Sequence, residues 1–136
     1  MSEPQFIFVA SSWPRRIQAA SLRDVINHSF TRRDIRGISV LSRWLDPKDT
    51  YGKSKGEEAA MDCEDLRRCS LMVQITGDTL SSGGRHAELG MALAWEIPVI
   101  LYGPREKCVY HHLPEIRAVD TELKLLGVLD EYFVDD

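Results

Sequence analysis

The chain has 136 residues, 43% of them hydrophobic, and a formal net charge of −4. That length and apolar content fit one domain over residues 1–136 with a core of its own, and the acidic balance argues against nucleic acid or an anionic membrane as the main partner. No apolar run approaches the roughly 20 residues of a spanning helix and no signal peptide is visible, so a cytoplasmic protein is expected, its three cysteines (Cys63, Cys69, Cys108) reduced and mostly buried.

Gln5 to Ala10 is a continuous apolar run, as in a strand buried on both faces. Pro14 suits a first helical position, and Leu22, Val25, Ile26, Ser29 and Phe30 then recur at helical spacing. Gly37 to Trp44 reads as a second strand. Asp46 to Lys55 holds Pro, Gly, Ser and charge, the composition of a long loop and a candidate lid. A helix is predicted from Glu57 to Arg68, with Ala59, Cys63 and Leu66 on its buried side. Leu71 to Thr76 is strand-like, and Arg85 to Trp95 is helical. Pro98 to Tyr102 is a further strand, closed by Gly103-Pro104 and followed by an irregular stretch from Arg105 to Pro114. Ile116 to Val119 suits a short fifth strand, and Thr121 is a good N-cap for an amphipathic helix to about Tyr132. Strands alternating with helices predict a parallel sheet covered on both faces, with ligands at the C-terminal ends of its strands.

Those ends carry most of the unusual polar residues. Ser81 to Gly84 is a glycine-punctuated loop between a strand and a helix, where free backbone N–H groups and the helix dipole favour anionic or polar ligands. Glu88, read as lying in that helix's first turn, would be held ionised there and placed to act as a nucleophile. The plainer reading is an acid that complements the dipole. Ser82, Gly83 and Gly84 beside it offer an oxygen or phosphate cradle. On the preceding helix Asp62 is a candidate to hydrogen-bond or protonate a heterocyclic base, while Glu64 and Asp65 read as a solvated acidic face. Asp78 either orients a ligand hydroxyl or makes an Asx turn. Ser11, Ser12, Trp13 and Arg15 offer hydroxyls, a stacking surface and a cation at a helix start, suited to a phosphate or 5′ hydroxyl, or to a plain cap. Trp44 stacks on a base or packs in the core. His111 and His112 act as acid–base or phosphate groups or simply order their loop; without a third ligand at sensible spacing, no metal site is expected.

Taken together, these residues resemble the nucleoside 2-deoxyribosyltransferase family, including its deoxynucleoside-monophosphate N-glycosidase branch and small phage and bacterial relatives. The resemblance rests on Ser82, Gly84-Arg85-His86-Ala87-Glu88-Leu89-Gly90 and Ala92, followed by Ile97 to Ile100. Ile7 to Ala10, Ser42 to Leu45, Asp62 with Asp65-Leu66, and Gly103-Pro104-Arg105 through His111 to Pro114 support it. It implies a flavodoxin-like, doubly wound parallel five-stranded sheet with helices on both faces. It further implies that Glu88 attacks the anomeric carbon of a 2-deoxyribosyl group, that Asp62 contacts the leaving base, and that Ser82 and Gly84 face a 5′ phosphate. Arg85 and His86 fall within the same motif and join the expected substrate contacts. A homo-oligomer is implied, and no metal or organic cofactor. The chain departs from the family in Phe8, where a tyrosine hydroxyl usually steadies the nucleophile, and in Ser11-Ser12, where Gly-Pro is common.

The chemistry is consistent with this. Breaking an N-glycosidic bond builds positive charge on the sugar, which a nearby carboxylate stabilises and can trap, while the departing base needs a proton. A small-molecule nucleoside or nucleotide is the expected partner, with transfer and hydrolysis both open. Three rivals remain: a nucleotide-binding module without turnover, cleavage of a dinucleotide such as NAD, and a phosphoacceptor domain, which Ser11-Ser12 fits poorly.

Overall fold

The two longest strands pair with each other inside the sheet, where both faces are covered. They are β1 (Gln5–Ala10) and β3 (Leu71–Ile75), which pair in parallel with Ile7 opposite Leu71 and Val9 opposite Val73. The computed structural model describes residues 3–77 and 84–134. Outward from this pair lie β2 (Ile38–Val40) beside β1, and β4 (Val99–Tyr102) then β5 (Arg117–Val119) beside β3. All four pairings are parallel, in the order β2-β1-β3-β4-β5. This is a five-stranded flavodoxin-like sheet, as the resemblance implied.

Helices fill the crossovers: α1 (Arg16–Arg32), the single turn α2 (Pro47–Thr50), α3 (Lys55–Arg68), α4 (Gly84–Ala94) and the closing α5 (Glu122–Phe133). Cys63 on α3 meets Met91 on α4 at 3.6 Å. Phe133 on α5 packs edge-on against Phe30 of α1, and Arg33 just beyond α1 grips Asp130 with two hydrogen bonds. Right-handed crossovers put α1 on the opposite face from α3 and α4, because the chain moves outward in opposite directions from β1 and from β3. The point of that reversal lies between β1 and β3, where such sheets take ligands.

Several boundaries differ from the sequence reading, each for a local reason. The second strand stops at Val40 instead of running to Trp44. Ser42 Oγ accepts the Val9 N–H (2.8 Å) and the Trp44 indole donates to the Val9 carbonyl (2.9 Å), so side chains take over from the ladder and the backbone turns into a 3₁₀ segment, Arg43–Leu45. The helix predicted from Glu57 begins at Lys55, because Ser54 and Glu57 exchange backbone and side-chain hydrogen bonds in a capping box. Its buried residues are Met61, Asp65 and Leu66, not Ala59, which is exposed, or Cys63, which is half-buried. Of the three free cysteines only Cys69 is buried. The Asp46–Lys55 loop includes α2.

Past β4 the chain needs a residue without a side chain. Gly103 has φ +127°, and a Cβ there would lie 2.5 Å from Thr76 Oγ1. That hydroxyl donates to the Pro104 carbonyl at 2.6 Å, locking the ends of β3 and β4 together.

Candidate functional site

A cavity of about 170 Å³ opens at the C-terminal ends of β1 and β3, at the topological switch point. Ser11 and Ser12, buried directly after β1, form one wall. Trp13 and Trp44 form another, their ring centroids 6.3 Å apart and tilted by 41°. Trp44 is 7% exposed and Trp13 54%, so one aromatic belongs to the core and the other to the cavity's lip. The remaining lining comes from Asp62 on α3 and from Gly84, Arg85 and Glu88 on α4.

The two carboxyl groups set the electrostatics. Glu88 is 9% exposed, and burial, reinforced by the negative charge of Asp62, pushes its pKa up to about 8. Burial also dominates at Asp62, with Asp65 and Glu58 adding to it and Arg43 opposing; the result is about 7. Asp62 Oδ1 is buried and has no hydrogen-bond partner. The expectation that a helix start keeps Glu88 ionised is therefore overturned. α4 begins at Gly84, so Glu88 is beyond the first turn, where the dipole has faded, and desolvation prevails. The two groups titrate as a coupled pair around neutrality.

Asp65 corrects a second expectation. It is not on a solvated face: it is fully buried, accepting the Arg43 backbone N–H at 2.9 Å and the Arg43 Nε at 2.8 Å. Glu64 is exposed and meets the same guanidinium at 2.8 Å. This grip fixes the 3₁₀ turn that carries Trp44 to the cavity.

One turn before Glu88 on α4, Arg85 is almost wholly buried and forms a two-pronged pair with Glu106 at 2.8 and 2.7 Å. Burial works to raise the Glu106 pKa, but Arg85 and the Gly77 N–H, at 2.9 Å, hold it below its ordinary value. The Glu106 N–H donates to His111 Nδ1 at 3.0 Å, and His111 Nε2 lies 2.8 Å from Gln74 Oε1. Burial lowers the His111 pKa against the pull of Glu106. The imidazole is thus neutral, with its proton on Nε2. Gln74, in the middle of β3, uses its amide to donate to the Arg85 carbonyl at 2.8 Å. Candidate ligand atoms of His86, Cys108 and His111 lie within 4.8 Å of one another. Both ring nitrogens of His111 are already hydrogen-bonded, so a metal there would have to displace the Glu106 N–H or Gln74.

Of the residues singled out from sequence, Glu88, Asp62, Ser11, Ser12, Trp13, Trp44, Gly84 and Arg85 line one cavity. Arg15 does not; it donates to Gln18 at 3.1 Å and to the Gly77 carbonyl at 3.3 Å. His86 is half-buried, its ring 6.3 Å from that of His111. His112 is exposed, with Nε2 3.0 Å from the Glu106 carbonyl. Neither histidine lines the cavity. Asp78, Ser82 and Gly83 lie outside the described residues. Phe8 is fully buried and brings no hydroxyl to Glu88. Sequence reasoning missed Glu106, Gln74 and the Arg43–Asp65 grip. Gln74, a polar residue inside an apolar strand, was the one available signal.

No family model and no curated protein sequence matches the chain. Solved structures do. A conserved protein from Enterococcus faecalis V583 superposes with a TM-score of 0.67 at 18% identity, covering 95% of this chain and 99% of that one. The CMP N-glycosidase BcmB of Clostridium botulinum gives 0.63 at 20% identity, over 94% and 100%. A 2-deoxyribosyltransferase from Bacillus psychrosaccharolyticus gives 0.63 at 15% identity, over 90% of each chain. The chain therefore has, along nearly its whole length, the fold of a CMP N-glycosidase and of a 2-deoxyribosyltransferase.

Proposed function

We propose that the protein is an enzyme of the nucleoside 2-deoxyribosyltransferase and N-glycosidase family, acting on the N-glycosidic bond of a 2′-deoxynucleoside or its 5′-monophosphate. The observation that carries this reading is the pairing of Glu88 and Asp62 in one cavity at the switch point, both titrating near neutrality. The shared fold with two proteins described as enzymes of that bond supports it.

Glu88 holds the shared proton more firmly than Asp62, so the reactive form is the minor one, with Glu88 ionised and the proton on Asp62, and that form supplies both groups the reaction needs. A Glu88 carboxylate oxygen forms a bond to C1′ as the C1′–N bond breaks. The electron pair of that bond goes to the base, which takes the proton carried by Asp62. A covalent glycosyl–Glu88 ester results, and an arriving base gives transfer while water gives hydrolysis. Trp13, at the lip, offers the base a stacking surface backed by Trp44. The cavity suits a pentose and leaves the base to extend over its lip toward Trp13. A homo-oligomer goes with this reading, and sedimentation tests it.

A panel of deoxynucleosides and their monophosphates, with NAD included and with or without an acceptor base, is assayed for free base and for new nucleoside. Mass spectrometry of the quenched protein looks for a deoxyribosyl adduct on Glu88, absent in Glu88→Gln. Base release undiminished in Glu88→Gln would overturn the mechanism. A second reading, binding without turnover, is favoured by the absence of a hydroxyl at Phe8; unchanged ligand with measurable affinity by calorimetry supports it.

A further inference from the structure

Asp62 has two kinds of neighbour. On its own helix, Glu58 lies one turn before it and Asp65 one turn after, on the same side. From other elements come Arg43, in the turn after β2, and Glu88 and Arg85 on α4, which share its cavity. Asp65 differs from the other acids in being wholly inaccessible to solvent while fully paired. Its two oxygens take two N–H donors of Arg43, the backbone at 2.9 Å and Nε at 2.8 Å. The carboxylate of this ion pair stands one turn from a cavity carboxyl whose buried Oδ1 has no partner.

We propose that Asp65 is a positioning residue for the reaction, a clamped negative charge that biases the proton shared by Asp62 and Glu88 toward Asp62. The inference rests on the function proposed above and deepens it. Burial alone favours a proton on whichever carboxyl is deeper, and that is Glu88. A protonated Glu88 is a poor nucleophile, so the site needs an influence that acts on Asp62 selectively. Asp65 is the largest charged contributor at Asp62 and does not figure among the influences on Glu88. Arg43 acts on Asp62 in the opposite sense but more weakly. Its positive charge is divided between Asp65 and the exposed Glu64.

Carboxyl ¹³C titration of the ligand-free protein tests this, with the two signals assigned through Asp62→Asn and Glu88→Gln. In Asp65→Asn the Asp62 step moves down by about one pH unit and the Glu88 step by less. With substrate, kcat falls severalfold and the limb of the pH profile belonging to Asp62 moves the same way. A role confined to holding Trp44 raises KM and leaves both titrations in place; that result overturns the proposal. If Asp65→Asn does not fold, the double variant Arg43→Gln/Asp65→Asn removes both charges of the clamp. It is expected to show a smaller downward step at Asp62, and no step overturns the proposal equally. Failure of the wild-type protein to release base from any substrate refutes the glycosidic reading instead, and is separate from the ligand-free titration.

Discussion

Two pairs of ionisable groups, each with one buried member, flank the start of α4, and they follow opposite rules. Arg85 and Glu106 are of opposite charge, meet with two short hydrogen bonds, and are tied further to the Gly77 N–H. Asp62 and Glu88 are of like charge, and Asp62 keeps an unsatisfied buried oxygen. The first pair holds the loop after β4 onto the helix, as a compensated charge should. The second is costly to maintain once both groups ionise, and it lines the cavity. Compensated charge supports this fold, and uncompensated charge is kept where chemistry would use it.

The contrast can be broken from either side. The largest effect is expected at the uncompensated pair: Glu88→Ala lowers kcat for base release by roughly 10³-fold or more, with affinity for the substrate largely kept. Single-turnover assays and calorimetry on the same variant check it. At the compensated pair, Glu106→Ala takes two charge-assisted hydrogen bonds from the buried Arg85 guanidinium and costs about 2–3 kcal/mol of stability, read by urea unfolding. Glu88→Gln should do the reverse. The Glu88 pKa is raised from 4.5 to about 8 on folding, so the wild-type protein loses stability as pH rises from about 5 to about 8. Glu88→Gln loses less across that range and is the more stable protein at pH 8, by a few kcal/mol in order of magnitude. Thermal melts at pH 5 and pH 8 decide this, and an identical pH dependence in both proteins would count against the raised pKa. Smallest is the Ser54→Ala change, about 1 kcal/mol from the capping box of α3, away from both pairs.

How much of this was legible beforehand follows from the range of the forces involved. Among the described residues, strand and helix patterns identified the five strands and the four longer helices, because burial of one face writes itself directly into local sequence. The cavity wall of Ser11, Ser12, Trp13, Trp44, Asp62, Gly84, Arg85 and Glu88 was also readable, since strand ends and helix starts mark the cleft. What escaped was pairwise and distant. Asp65 looked solvated because nothing near it in sequence shows that Arg43, 22 residues away, supplies two donors. Glu106 sits in an irregular loop, and only the folded chain brings it to Arg85, 21 residues back. Glu88 was expected to be ionised because a dipole is visible in sequence, whereas the depth of a side chain is not.

The indole pair has a practical consequence. Trp13 stands half in water at the lip, Trp44 lies dry beneath it, and Trp95 sits past the far end of α4 under the Arg67 guanidinium. Any molecule settling over the opening removes water from Trp13 while leaving Trp95 as a steady background. The protein thus carries a built-in optical reporter, and the colour of its ultraviolet emission gives occupancy without a label.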